Sequence, residues 1–269
     1  MTIRRFLSLG AGVQSTTLAL MASRGDIEPV ECAIFADTGW EPEAVYRHLD
    51  WLETQLSFPI IRVKRAGPDL GELCLEVARG ERTIEGSSLA PFFTDGPLGM
   101  MQKQCSKEFK TRVIGQEVRR RVGLSPGQRG PKHIVVHQLI GMSYDEMERM
   151  KDAEAPWTLN VFPLVDMRIR RRDCLKWMED RQYPRPPRSS CIFCPYRTDA
   201  EHRDLRDNAA PDWKRLKAFD TGIRTLVSRG SAYVHRQRVP IGDADISSAA
   251  ERGQKEFGFL EECDGVCGV

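Results

Sequence analysis

The sequence has no run approaching the ~20 apolar residues that a membrane-spanning helix needs, so no such helix is expected. A secretory leader is not expected either: two arginines precede a short apolar run near the start, but Gln14 to Thr17 interrupt it almost at once. The expected location is the cytoplasm. Nor is there an excess of charge: 40 Lys and Arg stand against 38 Asp and Glu, leaving +2. Any surface for nucleic acid therefore has to be local. Eight cysteines in 269 residues are too sparse for a disulfide scaffold, and in a reducing compartment their uses are metal ligation, redox chemistry and burial. There is no internal repeat and no low-complexity segment. What is present is ordinary for a globule with a sizeable core: 41% hydrophobic and 29% charged residues, which excludes disorder and fibre.

The first quarter of the chain alternates in type. Arg4 to Leu9 reads as a short buried strand, the following SLGAGVQS as a glycine-bearing turn, and Thr16 to Ser23 as the helix behind it. Glu31 to Ala36 is a second strand, followed by the loop DTGWEP. Pro42 opens a helix with Val45, Leu49 and Leu52 at helical spacing, and Ile60 to Val63 is a third strand. This is the opening of an α/β fold with a doubly wound parallel sheet. Leu70 to Arg79 is expected to be helical, Gly80 to Gly99 a mobile loop near the site, and Lys107 to Val122 a helix with a basic end. His133 to Ile140 is expected as a strand and Arg170 to Gln182 as an amphipathic helix. Tyr183 to Ser190, with three prolines, is a stiff connector to CIFC, after which the chain is expected to be helical to about Ser228. The expected division is an α/β nucleotide-binding domain over 1–182 and a smaller helical, cysteine-bearing region over 183–269.

Five groups of residues carry chemistry. Gly10 to Ser15 sits between strand and helix, where glycines let the backbone approach an anion and the helix N-terminus points N–H groups at phosphate. It lacks the lysine of a Walker loop and the dinucleotide pattern, and a plain tight turn is the alternative. Asp37, Thr38 and Gly39 follow the second strand at its carboxyl end, the edge where doubly wound folds place ligands. Cys191 and Cys194, separated by two residues, suit zinc, an iron–sulfur cluster or a redox disulfide. The basic runs Arg119 to Arg121 and Arg168 to Arg172 are either solvated helix faces or phosphate contacts, with Arg170, Arg171 and Arg172 the foremost candidates for nucleic acid. Asp145 and Glu146 suit Mg²⁺ binding, base chemistry or a helix cap. Cys32, Cys74 and Cys174 read as packing residues.

On these residues the chain resembles the PP-loop ATP pyrophosphatase superfamily, and within it the branch related to phosphoadenosine phosphosulfate reductase. The superfamily loop SGGxDS is matched in register by GAGVQS, with Ser8 also suiting the branch. Asp37, Thr38, Gly39, Glu43 and Tyr46 match the second loop. The resemblance continues through Gln104-Cys105, Lys110, Gly141 to Glu146, Phe162-Pro163-Leu164 and Cys191-x-x-Cys194, covering roughly residues 4 to 200. It implies a HUP/Rossmann-like fold binding ATP or a related adenine nucleotide. Ser8, Gly10, Ala11, Gly12, Val13, Gln14 and Ser15 would lie at the pyrophosphate, with Mg²⁺ as counterion, and Ala36, Asp37, Thr38 and Gly39 at the nucleoside. It also implies a [4Fe-4S] cluster held by Cys105, Cys191 and Cys194.

Three departures matter. Gln14 replaces the loop aspartate and carries no charge for Mg²⁺. Gln104-Cys105 replaces paired cysteines, so the fourth cluster position falls to Cys263 or Cys267, or stays open, as the resemblance to cluster-dependent tRNA thiolation enzymes implies. The tail around Cys263 resembles the reductases' Glu-Cys-Gly segment, whose thiolate attacks a bound sulfonucleotide, but Asp264 replaces the glycine and no histidine follows. The expected function is an ATP pyrophosphatase-like enzyme that adenylates a nucleic acid, tRNA or DNA, for iron–sulfur-dependent sulfur transfer. The expected catalytic residues are Cys263 and Asp145. A sulfur donor or reductant protein and a second copy of the chain are compatible partners. The alternatives are a reductase of adenylyl sulfate or phosphoadenylyl sulfate releasing sulfite, and a non-catalytic nucleotide-sensing subunit of a nucleic-acid modification or defence complex.

Overall fold

The computed structural model describes residues 3–83, 89–97, 99–248 and 251–253. In chain order its elements are β1 (Arg4–Leu9), α1 (Val13–Arg24), β2 (Cys32–Asp37), α2 (Glu43–Gln55), β3 (Ile60–Lys64), α3 (Leu70–Ala78) and β4 (Phe93–Thr94). A π-helical turn, Lys107–Thr111, runs into α4 (Arg112–Arg121). Then come β5 (Val136–Ile140), a 3₁₀ segment (Tyr144–Arg149), β6 (Thr158–Val161), α5 (Pro163–Asp166), α6 (Arg171–Glu179), α7 (Asp199–Asn208), α8 (Ala210–Gly222) and β7 (Ala232–Tyr233). Among the described residues no helix is long and apolar enough to cross a membrane.

The chain forms two compact units. The first takes Met1–Asp37, Glu43–Lys64 and Thr111–Ser189. Its sheet has the order β3-β2-β1-β5-β6, every pair parallel. On one face Leu7, Phe35 and Leu139 pack against Leu18 of α1, Leu49 of α2 and Met178 of α6. On the other, Phe6, Ile34 and Val136 meet Val113, Ile114 and Val118 of α4. All six residues of β2 are buried, which is why CAIFAD reads as a continuous run rather than an alternating one. The fold is therefore the expected doubly wound α/β arrangement. From β1 the chain winds outward to β2 and β3, then returns to β5 on the other side of β1. The loops after β1 and β5 thus flank the point where strand order reverses.

The second unit takes Thr38–Pro42, Arg65–Lys110 and Ser190–Val269. Its core is aromatic: Phe193 stacks on Phe219 at 4.1 Å, and Trp40 packs against both at 5.1 and 4.9 Å. Such pairs contribute about 0.5–1.5 kcal/mol each beyond the area they bury. These contacts draw 38–42 and 65–110 to the C-terminal region. The division thus differs from a single boundary after residue 182: it falls at Ser189 and Ser190, with two earlier excursions. Inside the expected loop from Gly80 to Gly99, β4 pairs antiparallel with β7, Phe93 opposite Tyr233. The expected helix from Lys107 opens as a π turn and becomes α-helical at Arg112, and the strand expected from His133 starts at Val136.

Candidate functional site

In the first unit the site is the loop after β1. Gly12 is the N-cap of α1, and no side chain caps the helix, so the N-terminal amides keep their affinity for an anion. The loop is braced from within. The Ser15 hydroxyl accepts from the Gly10 amide at 3.2 Å and donates to the Gly12 carbonyl at 3.3 Å, and the Ser189 hydroxyl donates to the Gly10 carbonyl. Ala11 is buried with a φ of 58°, a left-handed conformation that costs a non-glycine residue about 1–2 kcal/mol. Val13 is a core residue. Ser8 points across the sheet and accepts from Gln138 Nε2 at 2.6 Å.

Gln14 is held between opposite charges. Its Nε2 donates to Glu146 Oε2 at 2.9 Å and to Ser143 Oγ at 3.3 Å, while its Oε1 accepts from the Arg171 guanidinium at 3.1 Å. Glu146 also pairs with Arg149. A carboxylate thus does stand at the loop, but it comes from the segment after β5. Asp145 is placed differently: its Oδ1 accepts the Arg171 amide at 3.1 Å, a bond to the N-terminus of α6. The three arginines from 170 also part company. Arg171 turns inward to Gln14, whereas Arg170, the N-cap of α6, and Arg172 are exposed. The other basic run is tied within the unit, Arg119 to the Ser125 and Gln128 carbonyls, and Arg120 and Arg121 to Glu117. At the end of β2, beyond the buried Ala36, Asp37 accepts from the Tyr46 hydroxyl at 2.8 Å and pairs with Lys64 at 3.0 Å.

The second unit holds the cysteines. Thr38, Lys103, Cys105, Lys110, Cys191 and Cys194 line one cavity of about 460 Å³, its open mouth included. The CxxC turn is closed by the Cys194 amide on the Cys191 carbonyl at 3.0 Å. The Arg197 guanidinium pins it, donating to the carbonyls of Ser190 at 2.6 Å and Cys191 at 3.0 Å. Thr38 Oγ1 donates to Glu41 Oε2 at 3.0 Å and lies 3.1 Å from Cys191 Sγ. With the threonine proton given to Glu41, the Cys191 thiol donates to Thr38. Burial pushes the Cys191 thiol well above its ordinary range, the Glu41 charge adds to that, and Lys110 opposes it. Glu41 is itself buried and pairs with Lys110 at 3.5 Å. Gly39 has a φ of 79°, and a Cβ there would lie 2.8 Å from Asp69, the side-chain cap of α3. Sequence reasoning missed Glu41 and Arg197; the one signal for Glu41 was an acid two residues past Gly39, in a loop already singled out.

Cys32, Cys74 and Cys174 are buried, the last pushed by desolvation up to about 12, and none lines this cavity. The six cysteines among the described residues are all free thiols. Cys263 and Cys267 lie outside the described residues.

Fold and site together define an α/β protein with a braced glycine loop at its strand-order reversal and a cysteine-lined cavity in its second unit. No family model matches the sequence, and no curated protein matches it. Among solved structures the chain is similar to a phosphoadenylyl-sulfate (PAPS) reductase from Candida auris in its phosphate complex, at 12% identity and a TM-score of 0.44, over 68% of this chain and 75% of that one.

Proposed function

We propose that the protein is an adenine-nucleotide-directed enzyme of sulfur chemistry that adenylates a nucleic-acid substrate and then replaces the activated oxygen with sulfur. The observation that carries this reading is that Cys105, Cys191 and Cys194 line one cavity together with Thr38, the middle residue of the DTG loop. In the proposed reaction the substrate oxygen attacks the α-phosphorus of ATP and pyrophosphate leaves. Sulfur then attacks the carbon bearing that oxygen, which departs with AMP. The first unit supplies the nucleotide chemistry: the α1 amides and the Gly10 to Ser15 backbone bind phosphate, and Glu146 supplies the carboxylate for Mg²⁺ that Gln14 cannot.

The second unit supplies the sulfur chemistry. Its donor set fits an iron–sulfur cluster. Among the described residues the three sulfurs do not form a set within 4.8 Å of one another. A single tetrahedral zinc with bonds of about 2.3 Å would need them about 3.8 Å apart. When bound, a [4Fe-4S] cluster supplies an iron able to hold sulfur. The chain's own contribution is proton and charge management. The thiol proton of Cys191 has a path through Thr38 to Glu41, and the Lys110 ammonium offsets the negative charge gathered there.

Incubating anaerobically purified protein with ATP and tRNA or DNA tests this, with AMP and pyrophosphate expected in equal amounts. Gly12→Val should abolish both products in a folded protein. Gly12 is extended and an added Cβ meets only the Ser189 Cβ at 3.5 Å, so the fold has room while the branched side chain occupies phosphate space. Sulfite released from a sulfonucleotide would install the reductase reading instead, and nucleotide binding without turnover the sensor reading.

The nucleic-acid part has its own test. Because Arg171 braces Gln14, only Arg170 and Arg172 can be removed without disturbing the loop. The pair Arg170→Ala, Arg172→Ala should flatten the log–log dependence of RNA or DNA affinity on salt by about 0.7–0.9 per lost contact and leave ATP affinity unchanged. An unchanged slope makes these arginines a solvated face and turns the search to small-molecule substrates.

A further inference from the structure

A second polar cluster lies in the second unit and takes no part in the proposed reaction. Asp199 and His202 stand three residues apart on the first turn of α7, hence on one face, and His235 follows β7. All three are buried, His202 completely. One ligand atom from each lies within 4.8 Å of the others, the sole such trio of His, Cys, Asp or Glu among the described residues. The His235 Nε2 is 3.0 Å from Asp199 Oδ1, and the two imidazole rings meet edge to face at 5.6 Å.

We propose that Asp199, His202 and His235 form a divalent-metal site suited to Zn²⁺, which clasps the start of α7 to the segment after β7. Several features support it. Neither ring nitrogen of His202 has a protein hydrogen-bond partner, although buried polar atoms are almost always paired. The charges around Asp199 are sorted by atom. Arg236 and Arg252 face Oδ2, at 2.5 and 3.9 Å, while Oδ1 is the oxygen turned to His235. The segment carrying His235 is fixed independently, because Asp220 accepts the Val234 amide at 2.8 Å and the Ile241 amide at 3.0 Å.

One carboxylate and two imidazoles are a borderline donor set, the kind Zn²⁺ takes at about 2.0–2.2 Å, with a water or a further group completing four ligands. Tetrahedral bonds of that length place ligand atoms about 3.3–3.6 Å apart, so the His235–Asp199 pair opens slightly from its 3.0 Å while the trio stays within its 4.8 Å grouping. On binding, the His235 ring proton moves to Nδ1, in exchange for the 3.3 Å contact that atom accepts from the Gln237 amide.

The test uses the full chain, stripped by chelator and dialysed against Zn²⁺ or Co²⁺. One zinc per chain is expected to depend on this site, so His202→Gln and His235→Gln should each carry one fewer than wild type, whereas Cys105→Ser should keep it. Cobalt here should give visible d–d bands in Cys105→Ser without the sulfur-to-metal charge transfer that thiolates produce. The wild type should melt at a higher temperature with zinc than with chelator. Equal zinc in wild type and His202→Gln overturns the proposal. Should neither histidine variant fold, a cobalt spectrum of purely thiolate character, or a melting temperature indifferent to zinc, overturns it equally.

Discussion

Gly141→Ala should cost the protein about 2–3 kcal/mol in urea unfolding, the upper end of what forced overpacking produces. Gly141 follows β5, and a Cβ there would stand 2.5 Å from Ser15 Cα and 2.7 Å from Ser15 N. Both are backbone atoms of the first turn of α1, so no rotamer change relieves the overlap. Either the β5 loop or the helix start must move, and α1 is anchored by Leu18, Ala19 and Leu20 in the core. The variant should therefore also weaken nucleotide binding, because the displaced turn is the one proposed to meet phosphate. Gly12→Ala is the control: its Cβ finds only an ordinary 3.5 Å contact, and stability should change by less than about 1 kcal/mol. A Gly141→Ala protein as stable as wild type would show that the two loops do not approach as closely as the structure has them.

That close approach explains something the sequence showed only as a pattern. A glycine opening the GMSYDE segment marked a resemblance, while its physical reason, a neighbouring strand's loop pressed against the α1 backbone, depends on β1 and β5 lying side by side. The alternation from β1 to β3 was legible because each strand is apolar enough to signal burial and each helix carries its own periodicity. β6 was not: TLNV has one buried residue in four and looks like a loop. β4 and β7 are two residues each and owe their pairing to the tertiary fold. The second unit was illegible as a unit because Trp40, Phe92, Phe193 and Phe219 come from three distant segments and show no period in any one of them.

Gln14 illustrates the same limit at the level of chemistry. In sequence it is a lost charge. In the structure its amide uses both ends, donating to Glu146 and accepting from Arg171, which an aspartate facing Glu146 could not do without setting two carboxylates against each other. The glutamine and the glutamate are matched to each other in this loop. Asp145, one residue earlier, looked the equal of Glu146 in sequence. The 3₁₀ turn over Tyr144–Arg149 separates their directions, sending one to the loop and the other to the start of α6.

Cys191→Ser should leave a folded protein that has lost almost all its iron. Serine nearly preserves volume and can still hydrogen-bond to Thr38, so the buried Cys191–Thr38–Glu41 chain survives while the soft ligand is gone. Cys105→Ala and Cys194→Ala should lose iron as well. Their residues are only half-buried, so these changes should cost little stability. Cys74→Ala supplies the contrast. Cys74 is fully buried in the same unit and its thiol is pushed up by desolvation, but it does not line the cavity. Its replacement should lower stability and spare the iron, so that loss of iron cannot be laid to loosened packing. Iron and sulfide per chain, with the visible absorption of anaerobic protein, decide the matter. If the wild type is colourless and carries a single tightly held zinc on these three cysteines, the cavity must close by more than the structure shows, and the cluster reading gives way to a structural metal. If instead Cys74→Ala loses iron as fully as Cys191→Ser, iron retention reports the integrity of the aromatic core and says nothing about which thiols bind it.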